Sequence, residues 1–550
     1  MSYLTYITRK YFYYKIHLSF AMRPRTILIT IAFLALASVP LALSGSDGLD
    51  SFGEEETYFQ EGPYHCEVID DSVAINHYDP EEPITDLVIP DKISHNGKTY
   101  EVNYIYGLFE EDELVTVTVP ASIFEIEFPC FSGKNLRSIY VDEDNHSYAS
   151  EDGVIFNHEK NKLLEYPKGR EETSYTVPES VTIINDSAFF GCALEAVYLP
   201  NGLISIEMFA FGGCTLLERI NDYDESNKLP SNVNIVDDYA FSECVNLKEL
   251  VFPDSLRIIG DYAFSFTGLT SVTIPWNLTS LGEGAFSHCY DLKQFISDEN
   301  EKYLAYDGVL YEKNSSLNLF CYPAGKTDKT FEVDEAVSGI NTYSFAGARN
   351  LEKVTIPKNI LILQNYTFFE CTNLKEINLE NVVILENRVF DSCTSLKNVQ
   401  LGSQLSSIGY SCFRLTAIEE ITLPKSLYYL NMSAFDSCKQ LKKVIIPEDS
   451  FVEIDFYTFT ECYNLEEIDV YSTDVMFDAG SLNIGVTEEP ASVKVVVPKG
   501  YDLPDDVVTN EWTTVDVEVM GERPYPWENL IGVAFCILIV IMILKFFREV

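Results

Sequence analysis

The sequence predicts a solenoid, a fold in which short similar units stack along one axis. The first observation is a motif in which phenylalanine, cysteine and leucine follow each other at intervals of three, as in Phe241, Cys244 and Leu247. The second is the period, because successive motif phenylalanines are mostly 22 to 24 residues apart. A fixed period of this length is typical of proteins in which each unit buries its apolar side only against its neighbours.

The full unit reads I-x-x-x-A-F-x-x-C-x-x-L-x-x-V-x-I-P. The Val and Ile, two residues apart, predict a short strand with alternate side chains facing inward, and the Pro ends it because it has no N–H to donate. The segment around Ala-Phe predicts a short helical or 3₁₀ turn that buries the Phe. Degenerate units are centred on Phe109 and Phe131. Eleven well-formed copies are centred on Phe189, Phe211, Phe241, Phe264, Phe286, Phe345, Phe368, Phe390, Phe413, Phe435 and Phe459.

The chain has two inserts, near 142–170 and 297–326. The first precedes the regular period and the second interrupts it. Each contains an Asp-Gly pair, Asp152-Gly153 or Asp307-Gly308, followed by apolar residues and then by a Tyr-Pro pair with a nearby Gly. Asp-Gly favours the tight turn of a β-hairpin. We therefore expect a hairpin in each insert.

The repeat unit and the insert together resemble the BspA-type (Treponema pallidum type) leucine-rich repeat family, over roughly residues 100 to 475. The resemblance implies a curved leucine-rich repeat solenoid of the α/β type, dominated by β-strands with short helical turns. It also implies a cell-surface protein that binds host proteins, other cells or matrix. The family has no shared catalytic residues, so we expect neither an enzyme nor a cofactor.

The charge excludes a nucleic-acid partner. The chain has 38 basic and 85 acidic residues and a net charge of -47, whereas nucleic-acid binding requires a basic surface. A strongly acidic surface favours basic partner patches or divalent cations, but the favoured interpretation is a solvated acidic exterior without a specific partner.

Eight of the 13 cysteines occupy the repeat position, where other copies have Thr267, Ala348 or Thr416. A position that accepts Cys, Thr or Ala requires a small buried residue. Disulfides between cysteines outside this column, such as Cys66 and Cys130, remain an alternative. No metal is expected: the chain has no C-x-x-C pair, and the acidic run at Asp142 lacks the Gly and Glu of a calcium loop.

Apolar segments near both ends predict export and anchoring. Residues 1–44 comprise an N-terminal extension and a signal peptide, with an uncleaved N-terminal anchor as the alternative. Met22 precedes the basic residues Arg23 and Arg25, which is consistent with an alternative translation start at Met22. Residues 530–547 predict a transmembrane helix with the repeat array outside, since Lys545 and Arg548 follow it. The remaining predicted segments are a cap (45–98), the array (99–475), a β cap (476–522), a linker (523–529) and a cytoplasmic tail (548–550).

The outward positions of the predicted strands form parallel columns with rungs about 4.8 Å apart, a surface that matches a protein partner better than a small molecule. The candidate binding residues are Ser271, Thr273, Lys353, Thr355, Glu376, Asn378, Asn398, Gln400, Glu420, Thr422, Lys443, Glu467 and Asp469. The alternative for each is a solvated sheet face without a ligand.

These observations favour a non-catalytic surface protein that binds an unknown protein of a host cell, a neighbouring cell or the matrix. One alternative is a structural envelope component that associates laterally with itself. A second is a surface glycan-binding or hydrolytic protein that uses the array as a scaffold.

Overall fold

The computed structural model describes residues 58–109, 111–221, 227–297, 300–486 and 489–520. Within these ranges the secondary structure consists of strands, bridges and turns, with no helix. None of the described segments is therefore a helix long and apolar enough to cross a membrane. The predicted signal peptide and the predicted membrane span at 530–547 lie outside the described residues.

The strands are numbered in chain order. The first nine are β1 (Tyr58–Glu61), β2 (Tyr64–Ile69), β3 (Ser72–Tyr78), β4 (Asp86–Val88), β5 (Lys92–His95), β6 (Lys98–Ile105), β7 (Thr116–Val119), β8 (Glu125–Ile126) and β9 (Ser138–Val141). The next thirteen are β10 (Tyr148–Glu151), β11 (Val154–Asn157), β12 (Lys162–Glu165), β13 (Ser174–Thr176), β14 (Ile183–Ile184), β15 (Ala196–Tyr198), β16 (Ser205–Ile206), β17 (Arg219–Ile220), β18 (Ile235–Val236), β19 (Ile258–Ile259), β20 (Ser271–Ile274), β21 (Ser280–Leu281) and β22 (Gln294–Ser297).

The remaining eighteen described strands begin in the second insert. They are β23 (Tyr303–Tyr306), β24 (Val309–Lys313), β25 (Leu317–Cys321), β26 (Thr330–Glu332), β27 (Val337–Ile340), β28 (Lys353–Thr355), β29 (Ile362–Leu363), β30 (Glu376–Ile377), β31 (Ile384–Leu385), β32 (Ser407–Ile408), β33 (Glu420–Thr422), β34 (Tyr429–Leu430), β35 (Lys443–Ile446), β36 (Phe451–Ile454), β37 (Glu467–Val470), β38 (Asp474–Phe477), β39 (Ala491–Val497) and β40 (Thr513–Val519).

Most coils of the solenoid contribute to two parallel ladders. The first ladder contains the predicted Val-x-Ile strands and comprises β4-β7-β9, β13-β15-β17, β20-β22, β26-β28-β30 and β33-β35-β37-β39-β40. The second ladder consists mainly of two-residue strands, in the runs β14-β16-β18-β19-β21 and β29-β31-β32-β34-β36-β38. A reverse turn separates the two strands of one coil, as where the N–H of Ile360 donates to the carbonyl of Pro357.

The N-terminal segment and the two inserts contain antiparallel strand pairs. Strands β1, β2 and β3 form an antiparallel meander, and β3 then pairs in parallel with β6. The two predicted hairpins are confirmed: β10 pairs with β11, and β23 with β24, around Asp-Gly tips at which both residues have positive φ. The third strand of each insert pairs in parallel with the strand that follows the insert, β12 with β14 and β25 with β27, so that each insert rejoins the solenoid.

The predicted helical or 3₁₀ turn around Ala-Phe is not observed among the described residues. In the coil of Phe264, the N–H groups of Tyr262, Phe264 and Phe266 donate to carbonyls of the next coil, while the N–H groups between them close turns within their own coil. Tyr262 and Phe266 are left-handed, with φ of 54° and 57°. A helix needs successive N–H groups to donate within one segment, so alternation between coils produces stacked turns instead.

The phenylalanines of the repeat stack into buried columns on either side of the second insert. Ring centroids of successive coils lie 4.9 to 5.5 Å apart from Phe189 to Phe286 and 4.8 to 5.8 Å apart from Phe345 to Phe459. Tyr166 and Tyr322, from the Tyr-Pro pairs of the inserts, stack on Phe189 and Phe345. The inserts therefore continue the columns with tyrosine where the unit has phenylalanine.

The repeat cysteines are buried and free, and they form the predicted column of small residues. Typically the thiol lies close to the carbonyl of the motif Phe one coil earlier, as for Cys393 Sγ and Phe368 O at 3.1 Å. Cys66 and Cys130 are also free thiols, so the alternative of a disulfide between them is wrong.

Candidate binding faces

The outward side chains of the first ladder form two columns, which we call the first face. Backbone pairing places Lys353 opposite Glu376. Farther along, Glu420, Lys443, Glu467 and Lys494 face one another in turn. Opposite charges at directly paired positions stabilise a sheet modestly.

Most basic side chains of the first face are already paired within it. Lys353 Nζ lies 2.8 Å from Glu376, and Lys375 Nζ lies 2.7 Å from Glu352. The hydrogen bond from Lys353 lowers the pKa of Glu376 below its ordinary value. Because these pairs are exposed to solvent, each contributes little to stability, and they neutralise much of the charge of the face.

Lys443 is the most strongly held cation of the first face. Its Nζ lies 2.8 Å from Asp469 and 2.5 Å from Glu467, and hydrogen bonds to these two carboxylates raise the pKa of Lys443. Asp469 is itself buried, with 7% of its surface exposed. The sequence predicted Asp469 as an exposed contact, but the cover provided by Lys443 and the neighbouring strands leaves little of it for a partner.

The first ladder is interrupted between β30 and β33. Beside it, at the end of the paired strands β28 and β30, the side chain of Asn378 takes the place of a backbone partner: Ile356 N–H donates to Asn378 Oδ1 at 2.8 Å, and Asn378 Nδ2 donates to Ile356 O at 2.9 Å. Residues 397–400 have the sequence of a repeat strand but form no strand, and in this part of the first ladder the bridge Leu379–Leu401 is the backbone pairing described between the two coils.

The interruption coincides with an open depression of about 430 Å³. Lys353, Glu376, Asn398, Gln400 and Glu420 are among the polar residues that line it. Asn398 and Gln400 are exposed, and their amides make no hydrogen bond to the described part of the chain. Each amide offers a donor and an acceptor, so this is where the first face has the most unused hydrogen-bonding capacity.

The structure brings only part of the predicted set together. Lys353, Thr355, Glu376, Asn378, Asn398, Gln400 and Glu420 lie on adjacent coils at the depression. Thr422, Lys443 and Glu467 continue the face toward the C-terminus. Ser271 and Thr273 lie on β20, exposed, and the second insert separates their ladder segment from the rest.

The second ladder presents another outward surface, the second face, which the sequence interpretation missed. Toward the C-terminus its column runs through paired residues on β29, β31, β32, β34, β36 and β38. These are Ile362, Ile384, Ser407, Tyr429, Glu453 and Met476. The only sequence signal is the variable residue before each conserved Ile or Leu, in strands too short to show alternation.

The acidic run near Asp142 has a structural role rather than a calcium loop's geometry. Asn145 is buried: its Nδ2 donates to the carbonyls of Pro120 and Ile123, and its Oδ1 accepts from the N–H groups of Ser147 and Tyr148. Asn300 occupies the matching position in the second insert, with similar bonds. In the described ranges no group of three or more Cys, His, Asp or Glu side chains is arranged to hold a metal ion.

No curated protein sequence matches this chain significantly. Among solved structures, the chain resembles a leucine-rich cell-surface protein from Faecalibacterium prausnitzii A2-165, at 22% identity and a TM-score of 0.42 over 78% of this chain and 98% of that one. It also resembles the pneumococcal vaccine antigen PcpA, at 18% identity and a TM-score of 0.45 over 85% and 98%. A leucine-rich repeat protein from Eubacterium ventriosum ATCC 27560 matches at 19% identity and a TM-score of 0.47 over 68% and 93%.

The assignment to a family rests on the repeat itself. The profile of the BspA-type leucine-rich repeat region matches six times, over residues 168–223, 223–317, 315–442 and 383–480. Together these matches cover more than half of the 550 residues. They coincide with the coils whose phenylalanines, cysteines and Val-x-Ile strands build the two ladders. The chain belongs to the BspA-type leucine-rich repeat family.

Proposed function

We propose that this chain is a non-catalytic cell-surface protein that binds another protein through the first face, in adhesion or in recognition of a host or neighbouring cell. Membership of the BspA-type family supports a surface location and a protein-binding role. The observation that carries the proposal is the depression at the interruption of the first ladder, where Asn398 and Gln400 have no partner among the described residues.

The chemistry of the depression favours a peptide segment of a protein as the ligand. Its exposed lining is polar, with amides from Asn398 and Gln400 and carboxylates from Glu376 and Glu420. Amides can pair with the N–H and C=O groups of an extended backbone. The lining contains no aromatic side chain, so it lacks a stacking platform for a sugar ring.

The residues away from the depression have a secondary role in this proposal. Thr355 and Asn378 border the depression, and Thr422, Lys443 and Glu467 extend the contact along the face. Ser271 and Thr273 lie beyond the second insert and make a separate, weaker contact. Asp469 acts by holding Lys443 in place.

We further propose the arrangement of the chain at the membrane. Residues 45–98 and 476–522 cap the array, and residues 530–547 anchor it by one span with the array outside. The antiparallel strands β1 to β3 and the pair β39–β40 support the two caps, because solenoid ends need elements that cover the open core.

Cross-linking on living cells tests the role of the first face. The full-length chain is displayed on cells, and partners are captured with N398A/Q400A, with S271A/T273A and with the unaltered chain. The proposal expects one captured protein whose yield falls at least severalfold only in N398A/Q400A. Equal capture by all three chains would contradict a binding site at the depression, and turnover of a glycan or peptide would contradict the non-catalytic role.

One observation favours lateral self-association as the second candidate function. Strand β40 pairs with β39 alone among the described strands, and Val517 and Val519 on it are 47% and 55% exposed. Open edge strands of this kind pair readily with other chains. Sedimentation of the full-length chain at micromolar concentration should then show oligomers that Val517→Lys removes.

A further inference from the structure

The second face contains an exposed aromatic patch in a strongly acidic protein. We define the aromatic patch as Tyr428, Tyr429 and Phe451, which are 42%, 47% and 43% exposed. The Tyr428 ring is stacked on Phe451, with centroids 5.0 Å apart at 23°. It meets the Tyr429 ring edge to face, with centroids 4.4 Å apart at 81°. Three large rings therefore offer adjoining surfaces to solvent.

Carboxylates without basic partners border this patch. Backbone pairing places Glu453 opposite Tyr429, and Asp474 opposite Phe451. Neither carboxylate forms an ion pair within the described ranges, whereas the first face pairs most of its charges internally. The column of the second face that runs from Ile362 to Met476 also contains no Lys or Arg.

Aromatic faces beside free carboxylates form a surface suited to cations. The negative potential over a tyrosine or phenylalanine ring attracts an ammonium or guanidinium group, and a nearby carboxylate adds a charge-assisted hydrogen bond. The net charge of -47 attracts basic proteins from a distance. The patch offers a basic protein a defined contact site, because tyrosine and arginine are enriched among the residues that contribute most to binding at the centres of protein interfaces.

We propose that the aromatic patch, with Glu453 and Asp474, binds arginine or lysine side chains of a basic protein partner. This site lies on the second face and is independent of the depression on the first face. An arginine side chain stacks on Tyr428 or Tyr429 while its guanidinium donates to the Glu453 carboxylate. The partner surface complementary to it carries basic residues next to apolar ones, which contact Phe451 and Met476.

A peptide titration of the full-length chain tests the proposal. The probe is a fluorescein-labelled peptide of alternating arginine and glycine. Its binding is measured by fluorescence anisotropy at about 150 mM salt, which is the physiological ionic strength. Y428A/Y429A should weaken binding by about tenfold, in line with the loss of cation–π contacts. Y428F/Y429F should keep most of the affinity, since phenylalanine rings retain the attractive face, and this rescue separates ring chemistry from a folding defect.

Matched controls distinguish the patch from diffuse attraction to an acidic protein. Trp276 is 58% exposed and belongs to no part of the patch, so W276A should leave the affinity unchanged. E453Q should weaken binding several times more than E179Q, which removes an equal charge at an exposed position elsewhere. Equal effects of E453Q and E179Q, or unchanged binding by Y428A/Y429A, would overturn the proposal.

A second copy of this chain is the competing occupant of the same patch. If sedimentation shows that the full-length chain forms dimers that Y428A/Y429A dissociates, the patch is an interface between copies and the proposal fails. A monomer that binds the arginine peptide through the patch supports it.

Discussion

The cysteine of each unit combines small size with a weak donor. Cys393 is fully buried, and its thiol lies 3.1 Å from the Phe368 carbonyl of the preceding coil. In two other coils Thr267 and Thr416 donate instead to the Phe carbonyl of their own coil at 2.8 Å. Most coils thus have at this position a small side chain that donates a hydrogen bond, while one coil has Ala348, which only fills the space. Burial raises the pKa of the Cys393 thiol well above its ordinary value.

The first prediction follows from this role. C393A should lower the free energy of unfolding by about 1–2 kcal/mol, through a small cavity and a lost hydrogen bond. C393T should lose less, because threonine already serves at the same position in two coils. Urea unfolding followed by tyrosine fluorescence measures both variants. A neutral C393A would contradict both the cavity contribution and the hydrogen-bond contribution.

Glu165 is a buried carboxyl group between the first insert and the coil before it. Its two carboxyl oxygens accept hydrogen bonds from the N–H groups of Cys130 and Phe131 at 3.1 to 3.3 Å. Burial nevertheless raises the pKa of Glu165 to about 7, against the smaller lowering effect of those bonds and of Lys168.

The second prediction is a pH dependence with a definite sign. Because the pKa of Glu165 is higher in the folded chain than in the unfolded chain, its favourable contribution is complete below about pH 4.5 and is lost as the pH rises through about 7. Between these values the unaltered chain should lose on the order of 3 kcal/mol relative to E165Q. Thermal unfolding across this range tests it, with the exposed Glu179→Gln as control. Parallel pH profiles for the unaltered chain and E165Q would contradict it.

At the scale of the element, the turn around the core phenylalanine depends on left-handed backbone. One of its left-handed positions lies two residues after the Phe. This position is glycine in some coils, as at Gly191 and Gly213, and it is Glu243 in another coil. Glu243 has φ of 65°, and burial raises the pKa of its half-buried carboxyl. A non-glycine residue in this conformation costs about 1–2 kcal/mol.

The third prediction compares glycine and non-glycine residues at this left-handed position. Glu243→Gly should stabilise the chain by about 1 kcal/mol, because it relieves the backbone and removes a partly desolvated carboxylate. Gly191→Ala is the matched reverse change: a Cβ there would meet no atom within 4 Å, so only the backbone cost remains. Unfolding midpoints of the two variants should move in opposite directions, and movement in the same direction would contradict the argument.

At the scale of the whole molecule, two core clusters meet at the second insert. One cluster extends from Val154 to Cys321 and the other from Val309 to Val507. Val309 and Leu310 are adjacent in β24 but belong to different clusters. In a solenoid each coil contacts only its neighbours, so the two clusters can lose structure separately.

The fourth prediction concerns this separation. Phe390 is fully buried and stacked between Phe368 and Phe413, so F390A should cost about 3–5 kcal/mol. Hydrogen exchange followed by mass spectrometry should show faster exchange in the coils from about residue 340 to 480 and unchanged exchange in the coils before the insert. F241A should show the reverse. Faster exchange along the whole array in both variants would contradict separate clusters.

The sequence by itself determined the features that every copy repeats. The buried phenylalanine columns, the Val-x-Ile strands ended by proline and the Asp-Gly hairpins each follow from local residue chemistry and the period. The polar columns of the first face also follow, because alternation in a strand assigns each residue to one side.

Only the tertiary structure decided the features that depend on a neighbouring coil. The second ladder consists of strands such as Ser407–Ile408, which are too short to show a period and exist because they pair with the coils on either side. Around Ala-Phe, hydrogen bonds to the next coil likewise produce stacked turns instead of a helix. Contact with a neighbouring coil also joins the side chain of Asn378 to the backbone of Ile356, and it leaves Asp469 buried beside Lys443. Local sequence cannot specify these features because their hydrogen-bond partners lie about one coil away.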